Sequence, residues 1–367
     1  MNSRVYVCHT FYHVYVSCLK ELVRRQDGDT SKAALVLSKM SNDFGNLRER
    51  AERCGLFSEV IEFDEKNYTF FPELVELKKD RGGIVRNMLQ RIRFCKRTGE
   101  LLEPYVPVDF AKYRDIYVFC DSDPIGYYLA WKKIRYHAVE DGLDCLRYRD
   151  TAREDNKGSF AVKALFSRLG LIFIQNGYSR YCIDMEVNDK SVLDNVLPNM
   201  VEVSREGLVN RLTESDRELL VKLFIENKEE LMRALETAGK SGLPSVLILT
   251  EPLCESLETR RKLFEDMIRE YAAGACVVIK PHPRDKLDYR EAFPEHVVLD
   301  SHFPMEILNL VGAQFERVVT VYTVPSSIHC AKEKVYLGNE FMDRYEDPAL
   351  HAKVKNAVHS ITKQQAG

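Results

Sequence analysis

The chain has 367 residues, of which 45% are hydrophobic and 30% charged, with a net charge of −3. This length suits about two domains, and the near balance of charge argues against nucleic acid as a partner. None of the ten cysteines forms a CxxC pair, so we expect reduced thiols in a cytoplasmic protein. We expect no signal peptide, and no run of about 18 apolar residues predicts a transmembrane segment.

The first part of the chain alternates short apolar runs with longer amphipathic runs. These patterns predict strands at 4–10, 33–38, 60–63, 116–120 and 136–139, and helices at 11–25, 86–102 and 124–133. Strands that alternate with helices are typical of βαβ units, which form a parallel sheet. We therefore predict an N-terminal Rossmann-like domain over residues 1–155.

A second alternating series follows a less regular middle. Residues 156–240 are predicted to be a helical or irregular connection, with one long helix at 215–235 and a linker at 238–244. Further strands are predicted at 246–249, 276–279, 297–299, 318–322 and 335–337, with helices at 257–271 and 305–311. We assign 241–340 to a second Rossmann-like domain and 341–367 to a helical tail.

Ligands of such sheets bind at the carboxyl ends of the strands, so the residues that follow each strand are the first candidates. Glu140, Asp141 and Gly142 follow the strand at 136–139. A carboxylate close to a second one is harder to ionise, so one of the two acids can serve as a base. A solvated Asp-Gly turn is the alternative.

The stretch VVIKPHPRD, residues 277–285, ends a predicted strand in a cationic histidine corner. Prolines flank His282 on both sides, and Lys280 and Arg284 add positive charge. This combination favours binding a phosphate and donating a proton or hydrogen bond to a leaving oxygen. The alternative is a proline-stiffened loop with an exposed histidine.

Three further strand ends carry candidate ligand contacts. Ser326 and Ser327 follow the strand at 318–322, where a helix predicted to start near Ser326 would offer an anion site, although serine is also a common helix cap. Thr250 could contact a base or sugar. Glu306 could accept both hydroxyls of a ribose, but acidic residues favour helix starts in any case.

Two patterns could indicate a metal, and neither is favoured. Asp121-Ser122-Asp123 matches the DxD pattern of many sugar transferases, but it precedes Pro124, so helix capping is expected. His9 and His13 are four residues apart without an apparent third ligand, and could instead line the acceptor side. Without a GxGxxG pattern, a dinucleotide cofactor is unsupported.

Three of these elements form an ordered set: Glu140-Asp141-Gly142, then His282-Pro283, then Ser326-Ser327. The set resembles the signatures of bacterial sialyltransferases with the GT-B architecture, in which two Rossmann-like domains with parallel sheets face each other across a cleft. The segment YVCHTFYHVYVSCLKEL is similar to glycosyltransferase family 52, which contains lipooligosaccharide α-2,3-sialyltransferases. The resemblance covers residues 4 to about 340.

The resemblance implies a donor, CMP-N-acetylneuraminic acid (CMP-Neu5Ac), and a role for each motif. It also implies that the domain over 1–155 carries the acceptor side and the base, and that the domain over 241–340 binds the CMP-sugar. Asp141 would be the general base, supported by Glu140, Gly142, His9 and His13, and His282 the general acid or hydrogen-bond donor to the departing phosphate. The remaining residues would bind the nucleotide, namely Lys280, Pro283, Thr250, Glu306, Ser326 and Ser327.

The implied reaction is an inverting transfer to a terminal galactoside, such as lipooligosaccharide, with an α-2,3 linkage and α-2,6 as the alternative. CMP carries one phosphate, which a histidine and hydroxyls can stabilise, so we expect no metal and no cofactor.

Two other functions stay open, a GT-B transferase that uses CMP-Kdo or a UDP- or GDP-sugar, and a non-catalytic nucleotide- or glycan-binding protein. The basic helix at 86–96 is either a solvated face or a contact for an anionic acceptor. Peripheral association with the inner face of a bacterial membrane and a homodimer are compatible with the sequence.

Overall fold

The computed structural model describes residues 2–66, 71–119, 121, 124–142, 146, 158–240, 242–323 and 327–348. The chain divides into two compact units, Met1–Thr213 and Glu214–Gly367. Each unit is built on one parallel sheet, which confirms the predicted α/β class.

The first unit has a seven-stranded sheet in the order β3-β2-β1-β4-β5-β6-β7, and all of its pairings are parallel. Its strands are β1 Asn2–Cys8, β2 Ala34–Ser38, β3 Glu59–Phe63, β4 Tyr113–Phe119, β5 Tyr136–Val139, β6 Cys182–Val187 and β7 Met200–Glu202. The strand order reverses between β1 and β4. Such a switch point is where doubly wound sheets bind their ligands.

Helices flank this sheet: α1 Phe11–Gln26, α2 Leu47–Cys54, α3 Pro72–Lys78, α4 Ile84–Leu102, α5 Pro124–Lys132, α6 Phe160–Arg168 and α7 Arg205–Asn210. Thr10 caps α1, because its hydroxyl accepts the N–H of His13 at 3.2 Å. Gly99 allows α4 to pack closely on α5, since a Cβ there would lie 2.4 Å from Cβ of Trp131.

The second unit has a five-stranded parallel sheet in the order β10-β9-β8-β11-β12, with its own switch point between β8 and β11. Its strands are β8 Ser245–Leu249, β9 Cys276–Lys280, β10 Val297–Val298, β11 Phe315–Thr320 and β12 Ala331–Tyr336. Its helices are α8 Glu214–Phe224, α9 Lys228–Lys240, α10 Leu257–Tyr271, α11 Tyr289–Ala292, α12 Glu306–Leu310 and α13 Gly338–Met342.

The boundary between the units differs from the predicted segments 1–155, 156–240 and 241–340. The first sheet continues past residue 155 because strands β6 and β7 extend it beside β5. Helices α8 and α9 belong to the second unit. The middle is therefore divided between the two units rather than forming a separate connection.

The single helix predicted at 215–235 is wrong, because the structure has α8 and α9 in its place. Asn227 starts the second helix, since its Oδ1 accepts the N–H of Glu230 at 3.0 Å. The tail prediction concerns residues of which 349–367 lie outside those described. Within the described part of the chain, no helix is both long and apolar enough to cross a membrane.

Candidate functional site

In the first unit, polar side chains gather where β1, β2, β3 and β5 end. Asp141 follows β5, and its Oδ1 is hydrogen-bonded to Nε2 of His13, which lies in the first turn of α1. The His13 side chain has no exposed surface, whereas that of Asp141 is 35% exposed. The pair therefore joins a buried imidazole to a carboxylate that is partly open to solvent.

The orientation of the His13 ring follows from its other contacts. The backbone N–H of His9 donates to Nδ1 of His13 at 3.0 Å. Because Nδ1 accepts a hydrogen bond, the neutral ring carries its proton on Nε2 and donates it to Asp141. The ring also stacks on Phe119, with centroids 4.6 Å apart and planes inclined by 14°.

A buried carboxylate, Glu65, lies behind this pair. Its Oε2 is 3.1 Å from Nε2 of His9 and accepts the hydroxyl of Ser38 at 2.6 Å, and its Oε1 accepts the N–H of Ile125 at 2.7 Å. Glu65 and Ser38 were not among the residues predicted from the sequence. Both could have been found by the strand-end rule, since Ser38 ends β2 and Glu65 follows β3.

The other two residues of the acidic motif, Glu140 and Gly142, stabilise the backbone around Asp141. Glu140 is buried, its carboxylate accepts the N–H of Asn188 at 2.7 Å, and burial raises its pKa. It thus anchors the loop after β6. Gly142 has φ +134°, a conformation that other residues rarely adopt. Glycine therefore permits the turn that follows Asp141.

Asp121, from the DxD pattern, is buried and bonded within the first unit. Its two oxygens accept the N–H of Asn176 at 2.8 Å and the hydroxyl of Tyr136 at 2.7 Å. The described cap of α5 is Glu65, through Ile125 N–H, and Asp123 lies outside the described residues. In the chain as described, no group of three or more His, Cys, Asp or Glu side chains is arranged to bind a metal.

In the second unit, His282 follows β9 and is held from two sides. Its N–H donates to the hydroxyl of Thr250 at 3.0 Å, and the N–H of Arg284 donates to its Nδ1 at 3.1 Å. Burial, and then the charges of Arg284 and Lys280, lower the pKa of His282 to about 4. At neutral pH the ring is therefore neutral, with its proton on Nε2.

The turn that contains Pro283 is fixed at its far end by a buried ion pair. The N–H of Asp285 donates to the carbonyl of His282 at 2.9 Å, which closes the turn over Pro283. Arg260 Nη1 lies 2.5 Å from Oδ1 of Asp285, and their side chains are only 7% and 1% exposed. This pair could not be predicted from the sequence, because the partners are 25 residues apart.

Lys280 uses its ammonium group to join two loops. Nζ donates to the carbonyls of Pro281 and Ser301 at 3.1 and 3.2 Å and lies 4.2 Å from the ring centre of Phe303. Burial lowers its pKa to about 7. These contacts indicate that Lys280 shapes the loops after β9 and β10, and its predicted contact with the nucleotide stays a prediction.

Glu306 and Ser327, predicted to bind ribose and phosphate, lie side by side. The hydroxyl of Ser327 donates to Oε1 of Glu306 at 3.3 Å, and burial raises the pKa of Glu306. Asn309, which the sequence analysis missed, donates to the carbonyl of Ser327 at 2.9 Å and accepts the N–H of His329 at 2.9 Å. It lies three residues after Glu306, on the same side of α12.

The prediction of a helix beginning near Ser326 is wrong. Ser326 itself lies outside the described residues, but residues 327–330 form no α-helix, and β12 begins at Ala331, parallel to β11. Asn309 accepts the amides of His329 and Cys330, which a helix would otherwise use. From Ser327 onwards the described residues therefore offer no α-helix N-terminus to an anion.

Glu251, which the sequence analysis did not assign, fixes the turn after β11. It accepts the N–H of Tyr322 at 3.0 Å and the hydroxyl of Thr323 at 2.5 Å. The turn that leads towards Ser327 is therefore anchored at the end of β8.

Comparison with known proteins gives one family match. The sequence model of glycosyltransferase family 52 matches residues 66–334, which is most of the chain. A segment of 114 residues is 34% identical to an uncharacterized protein of Haemophilus influenzae and covers 30% of this chain. The match spans 35% of the length of that relative.

Solved structures show the same fold at low sequence identity. The α/β-galactoside α-2,3-sialyltransferase of Photobacterium phosphoreum is 12% identical with a TM-score of 0.52, covering 99% of this chain and 96% of that one. A 2,6-sialyltransferase of Photobacterium sp. JT-ISH-224, in complex with CMP and lactose, is 11% identical with a TM-score of 0.56, covering 96% and 76%. These likenesses confirm the predicted GT-B fold.

Proposed function

Because the chain belongs to glycosyltransferase family 52, we propose that it is a sialyltransferase that uses CMP-Neu5Ac and a galactoside acceptor. The observation that carries the proposal is a partly exposed carboxylate, Asp141, fixed by a buried histidine at one sheet, with an oriented neutral histidine, His282, at the other. Structures of this fold include sialyltransferases, one of them bound to CMP and lactose.

In the proposed reaction, Asp141 removes the proton of the acceptor hydroxyl as its oxygen attacks the anomeric carbon. The bond from that carbon to the CMP phosphate oxygen breaks, and its electron pair stays with the phosphate. Nε2–H of His282 donates a hydrogen bond to that oxygen and stabilises its charge. One displacement inverts the anomeric centre, and the proton leaves Asp141 to solvent.

The low pKa of His282 defines its part in this scheme. A ring with a pKa of about 4 is neutral at pH 7, so without substrate His282 is a hydrogen-bond donor. A phosphate beside Nε2 would favour the protonated form, because an opposite charge stabilises the imidazolium. However, that proton would have to displace the N–H of Arg284 from Nδ1, so in this scheme His282 acts on the departing phosphate as a neutral hydrogen-bond donor.

We propose that Glu306 and Ser327, with Ser326, bind the ribose and phosphate of CMP. Without ligand, Glu306 accepts the hydroxyl of Ser327. CMP would replace that bond by ribose hydroxyls on the carboxylate and a phosphate oxygen on the serine. Thr250, Lys280 and Pro283 would act indirectly, through the conformation of the loop at His282.

The proposed reaction needs no divalent metal. The leaving group carries a single phosphate, and the residues assigned to it are hydroxyls and a histidine. Such preorganised donors can stabilise the charge that develops in the transition state.

We propose a surface glycan such as lipooligosaccharide as the acceptor, an α-2,3 linkage, and peripheral association with the cytoplasmic face of a bacterial membrane. The outer face of α4 supports the membrane contact, since Val85 and Leu89 are 74% and 52% exposed. The exposed basic residues Arg86, Arg93 and Lys96 lie on the same helix. Basic helices with exposed apolar residues bind anionic bilayers.

The central experiment offers CMP-Neu5Ac, CMP-Kdo and UDP- and GDP-sugars to the enzyme with a panel of galactosides, followed by linkage analysis of any product. We expect transfer from CMP-Neu5Ac alone. Thermal-shift measurements with CMP, UDP and GDP provide an independent comparison, and light scattering tests the homodimer. Selective stabilisation by UDP or transfer from a UDP-sugar would refute the proposed donor.

A further inference from the structure

We propose that His13 is a positioning residue for Asp141, and that Glu65 fixes His13 through His9, so that the base belongs to a four-residue assembly whose other three members are buried. This inference rests on the proposed function, in which Asp141 is the base. It assigns a role to Glu65, which lies 76 residues before Asp141 in the chain.

The His13 ring is held by contacts at both nitrogens and on one face. Nδ1 accepts the backbone N–H of His9 at 3.0 Å, one face stacks on Phe119, and Nε2 is bonded to Asp141. The side chain is completely buried. Turning the ring would break both hydrogen bonds in an interior where lost bonds are costly.

The contacts of His13 keep the ring in its neutral form. A second proton would have to sit on Nδ1, where it would face the N–H of His9. His13 is therefore a fixed neutral donor and does not itself supply an acidic proton. A donor to a carboxylate favours its charged form, so His13 keeps Asp141 ionised and ready to accept a proton.

His9 is itself held by Glu65 and Asn42. Its Nε2 lies 3.1 Å from Glu65, and its carbonyl accepts Nδ2 of Asn42 at 2.9 Å. Glu65 in turn accepts Ser38 and the N-terminal amide of α5. A buried carboxylate with three donors has little freedom, so the ends of β1, β2 and β3 together set the position of Asp141.

The test compares His13→Phe, His13→Gln and Glu65→Gln in the full-length enzyme. Phenylalanine keeps the stacking but removes the donor, so we expect kcat to fall about 100-fold with little change in KM for CMP-Neu5Ac. The acid limb of the kcat/KM profile should move to higher pH, because Asp141 becomes harder to ionise. Glutamine at position 13 can place an amide N–H near the lost Nε2 and should recover part of both changes.

Glu65→Gln should act in the same direction as His13→Phe but more weakly, because it disturbs His9 and leaves the donor to Asp141 in place. The control is His137→Gln, which removes a second histidine–aspartate pair of the same unit, to Asp184 at 2.8 Å. This variant should retain the wild-type pH profile. Thermal unfolding of each variant shows whether it is folded.

An unchanged acid limb in a folded His13→Phe enzyme would overturn the inference. Failure of the proposed function would instead be seen in the wild type, as no transfer from CMP-Neu5Ac. In that case ¹⁵N NMR of the imidazoles tests the assembly without turnover. We expect the Nε2–H tautomer of His13, and we expect its ¹⁵N signal to change in the Asp141→Asn variant. An Nδ1–H tautomer would refute the assembly.

Discussion

The buried pair Arg260–Asp285 provides a stability prediction for the loop that carries His282. Asp285 accepts Arg260, the hydroxyl of Tyr289 at 2.7 Å and the N–H of Leu287 at 3.1 Å. Asp285→Ala would leave the guanidinium buried, with its remaining described bonds going only to backbone carbonyls of residues 253 and 254.

Removing one partner of a buried ion pair costs about 3–5 kcal/mol. For a unit of this size, each kcal/mol lowers the Tm by about 2–4 °C, so the expected loss is about 6–20 °C. The neighbouring pair Arg261–Glu265 has the same chemistry at 2.8 Å, but its side chains are 54% and 46% exposed. Glu265→Ala should cost only about 0.3–0.5 kcal/mol.

Differential scanning calorimetry of Asp285→Ala and Glu265→Ala, with and without CMP, measures the loss of Tm in each variant. We expect Arg260→Met combined with Asp285→Leu to recover much of the stability, because no buried charge is left alone. Equal shifts for Asp285→Ala and Glu265→Ala would refute the argument from burial. If the double variant were the least stable, packing rather than charge would explain the loss.

Four further predictions concern activity, pH and surfaces. Asp141→Asn should lower kcat by about three orders of magnitude, whereas Asp184→Asn, a control that removes another carboxylate bonded to histidine, should not; comparable losses would contradict the base assignment. Between pH 6.5 and about 4, His282 is protonated in the unfolded chain but not in the folded protein. The free energy of unfolding should therefore fall as pH falls through this window. In urea titrations, His282→Gln should flatten that decline. Excess EDTA should leave the rate unchanged, and restoration of a lost rate by Mn²⁺ would show a metal requirement. Val85→Asp with Leu89→Asp should reduce co-sedimentation with anionic vesicles but not the rate on a soluble galactoside, and equal binding to neutral vesicles would argue against a charge-assisted contact.

The sequence was sufficient to predict the elements whose pattern is local. Strands such as β9 and helices such as α10 were predicted within a residue or two, because continuous apolar runs and helical spacing follow from burial. The position of Asp141 and His282 after strands followed from the same reasoning. Strand β6 was missed because two acidic residues interrupt the apolar run of CIDMEV, and β7 was missed because it has only three residues.

The parts that sequence could not predict depend on contacts between distant segments. Glu65 acts through partners 27 to 60 residues away, and nothing near it in the chain identifies them. The serine pair carried a helix-start signal, but after Ser327 the amide of Asn309 bonds the backbone and the chain enters β12, which pairs with β11. In both cases tertiary hydrogen bonds outweigh the local preference.

Asn309 has a consequence for the thermodynamics of ligand binding. One amide group ties α12, which carries Glu306, to the segment from Ser327 to Cys330. The carboxylate and the hydroxyl are thus preorganised, so a nucleotide that binds both would not have to pay for ordering them. Affinity gained in this way arises from conformational entropy already lost during folding, at a residue that need not touch the ligand.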